Sequence, residues 1–188
     1  MQVVEAATAT QTGSPAPEQF IPCRGDSPSA GQPAPFFREG LTFRLGEEEF
    51  GVDILCVQEI RGYETPTRIA GAPPHVKGVL NLRGVIVPVV DLRACLGLDQ
   101  AACDALTVII VLNVAGQTVG AIVDAVRDVV ELAAEQVKPV PMQGTSTSIE
   151  HLVGIGTIRQ GEQERMLILM DIERLLARPD MGLRTLNH

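Results

Sequence analysis

The chain has 188 residues, of which 45% are hydrophobic and 20% charged, and it carries a net charge of −8 at pH 7. This length suits one compact domain of ordinary size or two small lobes that share an interface. The acidic balance argues against nucleic acid and anionic membrane surfaces as partners, since both favour clusters of Lys and Arg.

The sequence also lacks the marks of a membrane or secreted protein. Its longest apolar runs, Val85–Val90 and Val108–Leu112, are far shorter than the roughly 20 residues that span a bilayer. Met1–Thr10 has no basic start followed by an apolar stretch, as a secretory signal would. We therefore expect a cytoplasmic protein with no direct membrane insertion.

Four cysteines occur without CxxC pairing and without a histidine at metal-ligand spacing: Cys23, Cys56, Cys95 and Cys103. In a cytoplasmic chain such residues are expected to be reduced, mostly buried thiols. No metal site is predicted.

The first 35 residues differ in composition from the rest. They hold six of the thirteen prolines, with Ala, Thr, Ser and Gln between them and few large apolar residues. Such a segment cannot bury enough apolar surface to offset the entropy lost on ordering. We expect residues 1–35 to be a disordered tail, residues 36–180 to form the folded domain, and residues 181–188 to be a C-terminal tail.

The folded region begins with a predicted β-hairpin. Leu41–Leu45 alternates between apolar and polar residues, and a turn at Gly46–Glu49 leads into Phe50–Ile54. We expect Val57–Ile60 to continue the second strand beyond a bend.

A second hairpin is predicted at Leu80–Arg83 and Val85–Val90, which one glycine separates. Every position of Val85–Val90 is apolar, which indicates a strand buried on both faces. Pro88 within it indicates a sheet edge or a bulge, because proline has no N–H to donate. A short helix follows at Leu92–Leu98 and is expected to stop near Gly97.

Three further strands are predicted at Thr107–Asn113, Val119–Val123 and Val126–Leu132, and a second short helix at Ile172–Ala177. Many short strands with turns every several residues are typical of small β-barrels. The sequence therefore predicts a mainly β protein of two small barrels side by side, each ending in a strand, an aspartate and a short helix.

An internal repeat supports this division. Gly78, Leu82 and Arg83 match Gly154, Ile158 and Arg159 at a spacing of 76 residues. Val89, Asp91, Leu92 and Leu96 match Leu169, Asp171, Ile172 and Leu176 at a spacing of 80. Upstream, Gly51, Val57, Glu59 and Ile60 match Gly120, Val126, Asp128 and Val129 at a spacing of 69. Two copies indicate paired modules, since a solenoid needs at least about three repeats.

Asp91 and Asp171 could form a catalytic pair, because duplicated β lobes that each supply one aspartate are the layout of aspartic proteases. The local sequence argues against it. Each aspartate directly precedes an apolar helical stretch, where a short acceptor side chain satisfies free helix amides. We therefore predict that both residues are helix N-caps.

The remaining candidates for catalysis are weak. His75 follows two prolines, His151 lies beside Glu150, and His188 is terminal, so surface or turn positions are expected for all three. The sequence has no Gly-x-Ser-x-Gly elbow and no glycine-rich phosphate loop. We expect no enzymatic activity.

Glu59 and Arg83 are charges set in apolar strand sequence. An ionised residue in such a run is either paired inside the fold or offered to a partner. The sequence leaves both alternatives open.

Five segments of the chain resemble the CheW family of chemotaxis coupling proteins. They are Leu45–Ile54, Val57–Ile60, Pro74–Gly78, Asn81–Arg93 and Leu167–Asp171, and the resemblance runs from about Leu41 to Leu176. Its most specific part is Asn-Leu-Arg-Gly followed by Val-Pro-Val and Asp-Leu-Arg, with Gly-Val-Asp-Ile upstream. Residues 1–35 carry no resemblance to the family.

The resemblance implies a non-enzymatic adaptor of two five-stranded SH3-like β-barrels around a shared hydrophobic core, without a cofactor. Proteins of this family join the histidine kinase CheA to the cytoplasmic tips of methyl-accepting chemotaxis receptors, so that receptor ligands control the kinase. The receptor tip, a helical hairpin, is implied to bind an apolar groove between the barrels. The regulatory domain of CheA is implied to pair with the barrels.

Carried over to the matching positions, the resemblance implies a receptor- and kinase-facing set: Val57, Glu59, Arg83, Gly84, Gly120, Val126 and Val129. Gly120 and Val126 are the second-repeat counterparts of Gly51 and Val57. Corresponding strands of the two halves are therefore expected to line the groove.

Other classes of protein agree less well with the sequence. The resemblance implies that the same fold also occurs in the kinase itself and in coupling proteins fused to a receiver. Only about a dozen residues follow Leu176, so neither extension is expected. A small-molecule-binding barrel needs convergent polar groups inside, whereas the repeated strands are almost wholly apolar. The sequence does not say which receptors and kinase are served, or whether the pathway is flagellar chemotaxis or another sensory array.

Overall fold

The computed structural model describes residues 38–99, 102–141 and 150–183. Within these ranges the chain forms eleven β-strands and two five-residue α-helices. The strands are β1 (Glu39–Leu45), β2 (Glu48–Asp53), β3 (Val57–Gly62), β4 (Val76–Leu82), β5 (Val85–Asp91), β6 (Val108–Val114), β7 (Gln117–Val123), β8 (Ala125–Glu131), β9 (Val137–Lys138), β10 (Leu152–Gln160) and β11 (Gln163–Met170). The helices are α1 (Leu92–Leu96) and α2 (Ile172–Leu176), and 3₁₀ turns lie at Ile54–Cys56, Ala134–Gln136 and Pro179–Met181.

The strands form two sheets. The terminal sheet takes strands from both ends of the described chain, in the order β8-β1-β2-β11-β10-β9. The central sheet has the order β3-β6-β7-β5-β4. The mainly β prediction is confirmed, and the central sheet has the five strands expected. The terminal sheet has a sixth, two-residue strand, and neither sheet is closed within the described ranges.

Each sheet receives one edge strand from the other half of the chain. β3 follows the β1–β2 hairpin but pairs with β6 of the central sheet, and β8 follows the β6–β7 hairpin but pairs with β1 of the terminal sheet. The prediction that Val57–Ile60 continues the preceding strand is therefore wrong. The 3₁₀ turn at Ile54–Cys56 redirects the chain, and the Asp53 carboxylate caps it by accepting a hydrogen bond from the Leu55 N–H at 3.0 Å.

The strand register confirms the internal repeat. Gly51 lies opposite Leu169 in the parallel β2–β11 pair, and Gly120 lies opposite Val89 in the parallel β7–β5 pair. The two pairs are equivalent by the repeat, since Gly51 aligns with Gly120 at a spacing of 69 and Val89 aligns with Leu169 at a spacing of 80. In the same way, Phe43 opposes Val126 across β1 and β8, while Leu112 opposes Val57 across β6 and β3.

In both sheets the chain beyond the borrowed edge strand turns back to the opposite edge. After β3, the N–H and C=O of Thr67 each bond the backbone of Val79 in β4, at 2.9 Å. After β8, β9 pairs with β10. The repeated glycines lie at these contacts: a Cβ on Gly78 would stand 2.1 Å from the Thr67 oxygen, and one on Gly154 would stand 2.7 Å from the Lys138 oxygen. Only glycine admits the returning chain there.

β5 is less buried than predicted and is not an edge strand. Its first residues, Val85 and Ile86, are 57% and 62% exposed. Pro88 is tolerated in an internal strand because pairing with β7 starts only at Val89, one residue later. On the other side Pro88 faces Val79, whose backbone groups are engaged with Thr67, so no N–H is needed from Pro88.

The main hydrophobic core lies between the two sheets. It joins Phe43 and Phe50 of the terminal sheet, whose rings stack at 6.0 Å, to residues such as Leu112 of the central sheet. The core continues past the predicted domain boundary at residue 180, because Met181 and Leu183 are buried in it. Smaller hydrophobic clusters lie within single sheets, around Leu167 and Leu169 in the terminal sheet and around Val89 and Ile109 in the central sheet.

Asp91 and Asp171 are helix N-caps, as predicted. The Asp91 carboxylate accepts a hydrogen bond from the Arg93 N–H at 3.0 Å, and the Asp171 carboxylate accepts one from the Arg174 N–H at 3.0 Å. Gly97 ends α1 in the left-handed conformation, as expected. Within the described ranges no helix has the length and apolar character needed to cross a membrane.

Candidate partner-binding surfaces

Glu59 and Arg83 form an ion pair with each other, which is the first of the two alternatives that the sequence left open. The Arg83 Nη2 donates to Glu59 Oε2 at 2.9 Å. The Arg83 side chain is 81% exposed and that of Glu59 is 29% exposed. The pair therefore lies at the surface, where it remains accessible to a partner. It also joins the edge strand β3 to the β4–β5 turn near the opposite edge of the same sheet.

The β4–β5 turn holds Arg83 in a fixed place. Arg83 and Gly84 both have positive φ, 53° and 88°, as a tight two-residue hairpin turn requires. The Gly84 N–H donates to the Asn81 side-chain oxygen at 2.8 Å. A non-glycine residue at positive φ is uncommon, so the backbone accepts some strain to present this arginine.

The terminal sheet contains a corresponding ion pair. Asp128, the repeat counterpart of Glu59, accepts hydrogen bonds from Arg165 of β11, the shorter at 3.0 Å. The pKa of Asp128 is lowered, chiefly by Arg165, and Thr42 donates a further hydrogen bond to the carboxylate. Arg165 is not the counterpart of Arg83, which by spacing is the exposed Arg159. In the terminal sheet Arg165 therefore links β8 to the β10–β11 hairpin, as Arg83 links β3 to the β4–β5 hairpin in the central sheet.

The apolar members of the predicted set occupy equivalent places on the two sheets. Val57 and Val126 are both half-buried and pack against the main core. Val129 is 54% exposed on β8, and its counterpart Ile60 is 45% exposed on β3. Gly120 is buried in the central sheet, where a Cβ would stand 3.0 Å from Ile109. Gly120 can therefore influence a partner only through strand packing.

Three exposed apolar residues beside the predicted set were missed: Ile60, Val85 and Ile86. The continuous apolar run of β5 hid Val85 and Ile86, because it indicated burial on both faces. The repeat held a usable signal for Ile60, since it aligns with the predicted site residue Val129.

His151 lies in the turn before β10, which is one of the two predicted positions, but it is buried, so the surface alternative is wrong. Its side chain is 3% exposed, and its Nδ1 has no hydrogen-bond partner among the described residues. Burial lowers the pKa of His151, and the charge of Arg178 acts in the same direction. His75 is half-buried, with Nε2 3.0 Å from the Met181 carbonyl oxygen; His188 lies outside the described residues.

The repeat relates the two histidines. The carbonyl of His75 accepts a hydrogen bond from the Asp91 N–H at 2.8 Å, and that of His151 accepts one from the Asp171 N–H at 2.7 Å. Their spacing is the 76 residues that relate Gly78 to Gly154. Extending the alignment three residues upstream would have identified both as structural positions.

The β1–β2 and β6–β7 turns are each held by a carboxylate that accepts a hydrogen bond from a turn N–H. Asp124, between β7 and β8, accepts hydrogen bonds from the Gly46 N–H and the Arg93 Nε, both at 2.7 Å. Burial opposes ionisation of Asp124, but these bonds outweigh it and lower its pKa. In the other half, the equivalent turn amide of Ala115 donates to Glu173 of α2 at 3.1 Å. Each turn is thus anchored by an acid from a different element.

The three described cysteines are not in disulfides. Cys56 is buried and Cys95 half-buried, and burial raises the pKa of the Cys95 thiol to about 12. Cys103 is exposed, contrary to the expectation of mostly buried thiols, while Cys23 lies outside the described residues.

The architecture defines a duplicated two-sheet β scaffold with exposed, ion-paired edges. Residues 39–180 match the family model of the CheW-like domain. The chemotaxis protein CheW of Klebsiella aerogenes is 51% identical over 146 residues, which cover 78% of this chain and 86% of the relative. The probable chemotaxis protein CheW of Rhizobium etli is 38% identical over 140 residues, covering 74% and 88%.

Among solved structures, the scaffolding protein TtCheW from Thermoanaerobacter tengcongensis matches with a TM-score of 0.66 and 29% identity. The match covers 77% of this chain and 96% of that one. The chain belongs to the CheW family of chemotaxis scaffold proteins.

Proposed function

We propose that the protein is a non-enzymatic cytoplasmic adaptor that couples methyl-accepting chemotaxis receptors to the histidine kinase CheA. The observation that carries this proposal is the placement of the borrowed strands. β3 and β8 bring the same order of half-buried valine, acid and exposed apolar residue to two sheets on one core. A scaffold of this kind offers two related surfaces in a fixed mutual orientation, as a coupling protein needs.

Each sheet is proposed to act as an SH3-like barrel. The bridge from Thr67 to Val79 and the ion pair from Glu59 to Arg83 both draw the edges of the central sheet together. The β9–β10 pairing and the Asp128–Arg165 pair do the same in the terminal sheet. These links favour rigid lobes, so that binding on one lobe is transmitted as a displacement of the whole lobe.

The receptor tip is proposed to bind a groove lined by Val57 and Val126, with Val129 and the Glu59–Arg83–Gly84 corner taking part in receptor or kinase contacts. Short branched side chains beside charges suit one face of an amphipathic helix, whose anchors recur every three or four residues. Gly120 supports the groove from within the central sheet. The energy of such a contact is concentrated in a few central residues.

The test is to measure the affinity of Val126→Lys and Val57→Lys for a receptor hairpin fragment and for the CheA regulatory domain. Both variants should weaken hairpin binding by at least about tenfold, because a charge must then be buried or displaced from the contact. Methionine at either position should have a smaller effect, since it adds bulk without charge.

Leu106→Lys is the matched control, because Leu106 is 59% exposed in the loop before β6, outside the predicted set. It should leave both affinities within about twofold. Thermal unfolding must show that each variant is folded. Unchanged hairpin affinity in a folded Val126→Lys would place the receptor site elsewhere.

The absence of enzymatic activity is also proposed. Asp91 and Asp171 are committed to helix caps and to contacts with Lys77 and Arg174, at 3.3 and 3.4 Å. Asparagine caps helices nearly as well as aspartate. A peptidase activity that Asp91→Asn abolishes in a folded protein would contradict the adaptor function.

A further inference from the structure

A cleft of about 560 Å³ opens between the β1–β2 and β10–β11 hairpins of the terminal sheet. β2 and β11 are in parallel register at only two positions, Phe50 with Ile168 and Gly51 with Leu169. The residues before these positions on both strands line the cleft, which we call the hairpin cleft. Ile155, Met166 and Ile168 provide its apolar wall, and Met166 is 65% exposed.

The rim of the hairpin cleft is acidic. Glu49 is held by two arginines, with Arg127 Nε at 2.7 Å and Arg165 Nε at 3.0 Å. Arg165 is shared with Asp128, which lies behind it. Glu47 and Glu48 are exposed at the hairpin turn and take part in no ion pair among the described residues. Arg127 and Arg165 are therefore already paired with carboxylates of the protein. The carboxylates of Glu47 and Glu48 face solvent.

The duplication provides an internal comparison for this charge. By the spacings of 69 and 80, the counterparts of Glu47, Glu48, Glu49, Arg127, Arg165 and Met166 are Gly116, Gln117, Thr118, Gln58, Val85 and Ile86. In the central sheet a contact of 3.5 Å from the Thr118 hydroxyl to the Gln58 side-chain oxygen replaces the Glu49–Arg127 ion pair. The six counterpart residues in the central sheet are thus all uncharged. The carboxylates are not needed to form the hairpins, and they give this cleft a character that its counterpart lacks.

The charge of the chain restricts what can occupy the cleft. The protein has a net charge of −8, so a second copy brings more negative charge to an acidic rim. Residues 1–37 are no better suited, because their single basic residue, Arg24, is outnumbered by Glu5, Glu18 and Asp26. These charges favour an occupant from another protein.

We propose that the hairpin cleft is a docking site for a basic segment of a partner protein, in which an apolar side chain lies between lysine or arginine residues. The apolar side chain contacts Met166 and the isoleucine wall, and the cations face Glu47 and Glu48. An exposed methionine adapts to apolar partners of different shape, which suits a linear segment. This proposal does not depend on the receptor and kinase functions proposed above.

The test uses the full-length, ¹⁵N-labelled protein and a synthetic peptide in which leucine and isoleucine alternate with lysine and arginine. Saturable amide shift changes are expected at Glu47–Glu49 and Gln163–Ile168, and none at the counterpart Gln117–Thr118. A peptide with glutamate in place of every lysine and arginine should not bind. Affinity for the basic peptide should fall as salt is raised.

Two double variants separate local from overall charge. Glu47→Gln with Glu48→Gln should weaken peptide binding by about tenfold. Glu131→Gln with Glu135→Gln makes the same change in net charge at exposed positions outside the cleft lining, and should change the affinity by less than about twofold. Met166→Ser should also weaken binding while leaving the salt dependence unchanged, because it removes an apolar contact only.

Three results would overturn the proposal. Equal loss in both double variants would mean attraction to the overall charge of the protein. Shifts at the cleft on dilution without peptide would assign it to a second copy of the chain. Shifts at the cleft on removal of residues 1–35 would assign it to the protein's own N-terminal segment.

Discussion

The exposure of the Glu59–Arg83 pair limits what it adds to stability. With Arg83 81% exposed, solvent screens the attraction, and surface pairs typically contribute about 1 kcal/mol or less. Its position between an edge strand and a strained turn makes it better suited to shaping a contact surface. The large penalty of stranding a buried charge does not apply here, because neither partner is deeply buried.

We therefore expect Glu59→Arg and Arg83→Glu each to change the free energy of unfolding by less than about 1 kcal/mol. Each should weaken receptor or kinase binding more strongly, and the double reversal should recover part of that loss. Urea unfolding and affinity measurements on the double-mutant cycle check this. Arg159→Glu is the control, since it reverses the repeat counterpart of Arg83 in the other hairpin. Strictly additive effects on both quantities would show that the pair has no energetic coupling.

His151 should make the stability of the protein depend on pH. Its folded-state pKa lies below the ordinary value of 6.5, so the unfolded chain binds the proton more readily. The stabilisation is complete above pH 6.5 and is lost as the pH falls through the folded-state pKa. We expect the free energy of unfolding to decrease between pH 7 and 5, by at most about 1.4 kcal/mol per pH unit from this group.

His151→Gln should reduce that slope, because glutamine takes up no proton in this range. His75→Gln, the same substitution at the repeat counterpart, is the matched control. Denaturant titrations at several pH values measure all three. An unchanged slope in His151→Gln would mean that other groups cause the pH dependence.

Side chains were predictable from the sequence where a local pattern determines their surroundings. The Asp91 and Asp171 caps follow from an acceptor directly before an apolar helical stretch. The burial of His151 was not foreseen, because its neighbours Glu150 and Leu152 give no periodic signal, and a distant segment around Arg178 and Asp171 surrounds it. The exposure of Ile86 was missed for the opposite reason, since an apolar run indicates burial whether or not another strand covers it.

At the level of whole strands, Gly78 and Gly154 are the points at which β4 and β10 lie very close to the backbone of a neighbouring segment. Gly78 combines a φ of 146° with a Cβ position 2.1 Å from the Thr67 oxygen, while Gly154 has only the close contact, 2.7 Å from the Lys138 oxygen. Both contacts are with backbone, which cannot rotate away as a side chain can. Any relief must come from moving the returning chain.

Gly78→Ala should accordingly destabilise the protein by roughly 2–4 kcal/mol, through strain and loss of the Thr67–Val79 bridge. Gly154→Ala should act in the same direction with a smaller effect. Gly62→Ala is the control, because no atom lies within 4 Å of its Cβ position. Thermal or urea unfolding measures the differences, and equal stabilities for the Gly78 and Gly62 variants would contradict this account.

Most strands were predictable within a residue or two from alternation and turn residues, whereas their sheet partners were not. β3 and β8 share a valine, an acid and an exposed apolar residue at equivalent positions, and they differ where Arg61 aligns with the buried Val130. The spacing of 69 identifies them as equivalent but does not say which sheet each joins. The exchange depends on two short crossings: Ile54–Cys56 is capped locally by Asp53, whereas Asp124 is held by hydrogen bonds from the distant residues Gly46 and Arg93.

At the scale of the whole molecule, residues 1–35 are predicted to be dispensable for folding. They contain few large apolar residues, so they have little apolar surface to contribute to a core. Deleting them should change the free energy of unfolding by less than about 0.5 kcal/mol. Calorimetry on the shortened and full-length chains checks this. Loss of a cooperative transition would place the domain boundary further towards the N-terminus.

The crossing of β3 and β8 has the form of a domain-swapped dimer contained in one polypeptide. In such dimers two identical subunits exchange the same element, and fusing their genes converts the exchange into an internal pairing. Once fused, the two copies no longer need to match on the outside. One copy has glycine, glutamine and threonine at the hairpin where the other has three glutamates. Loss of either half would remove an edge strand from the remaining sheet, whereas substitutions on the outer faces leave the exchanged pairing in place.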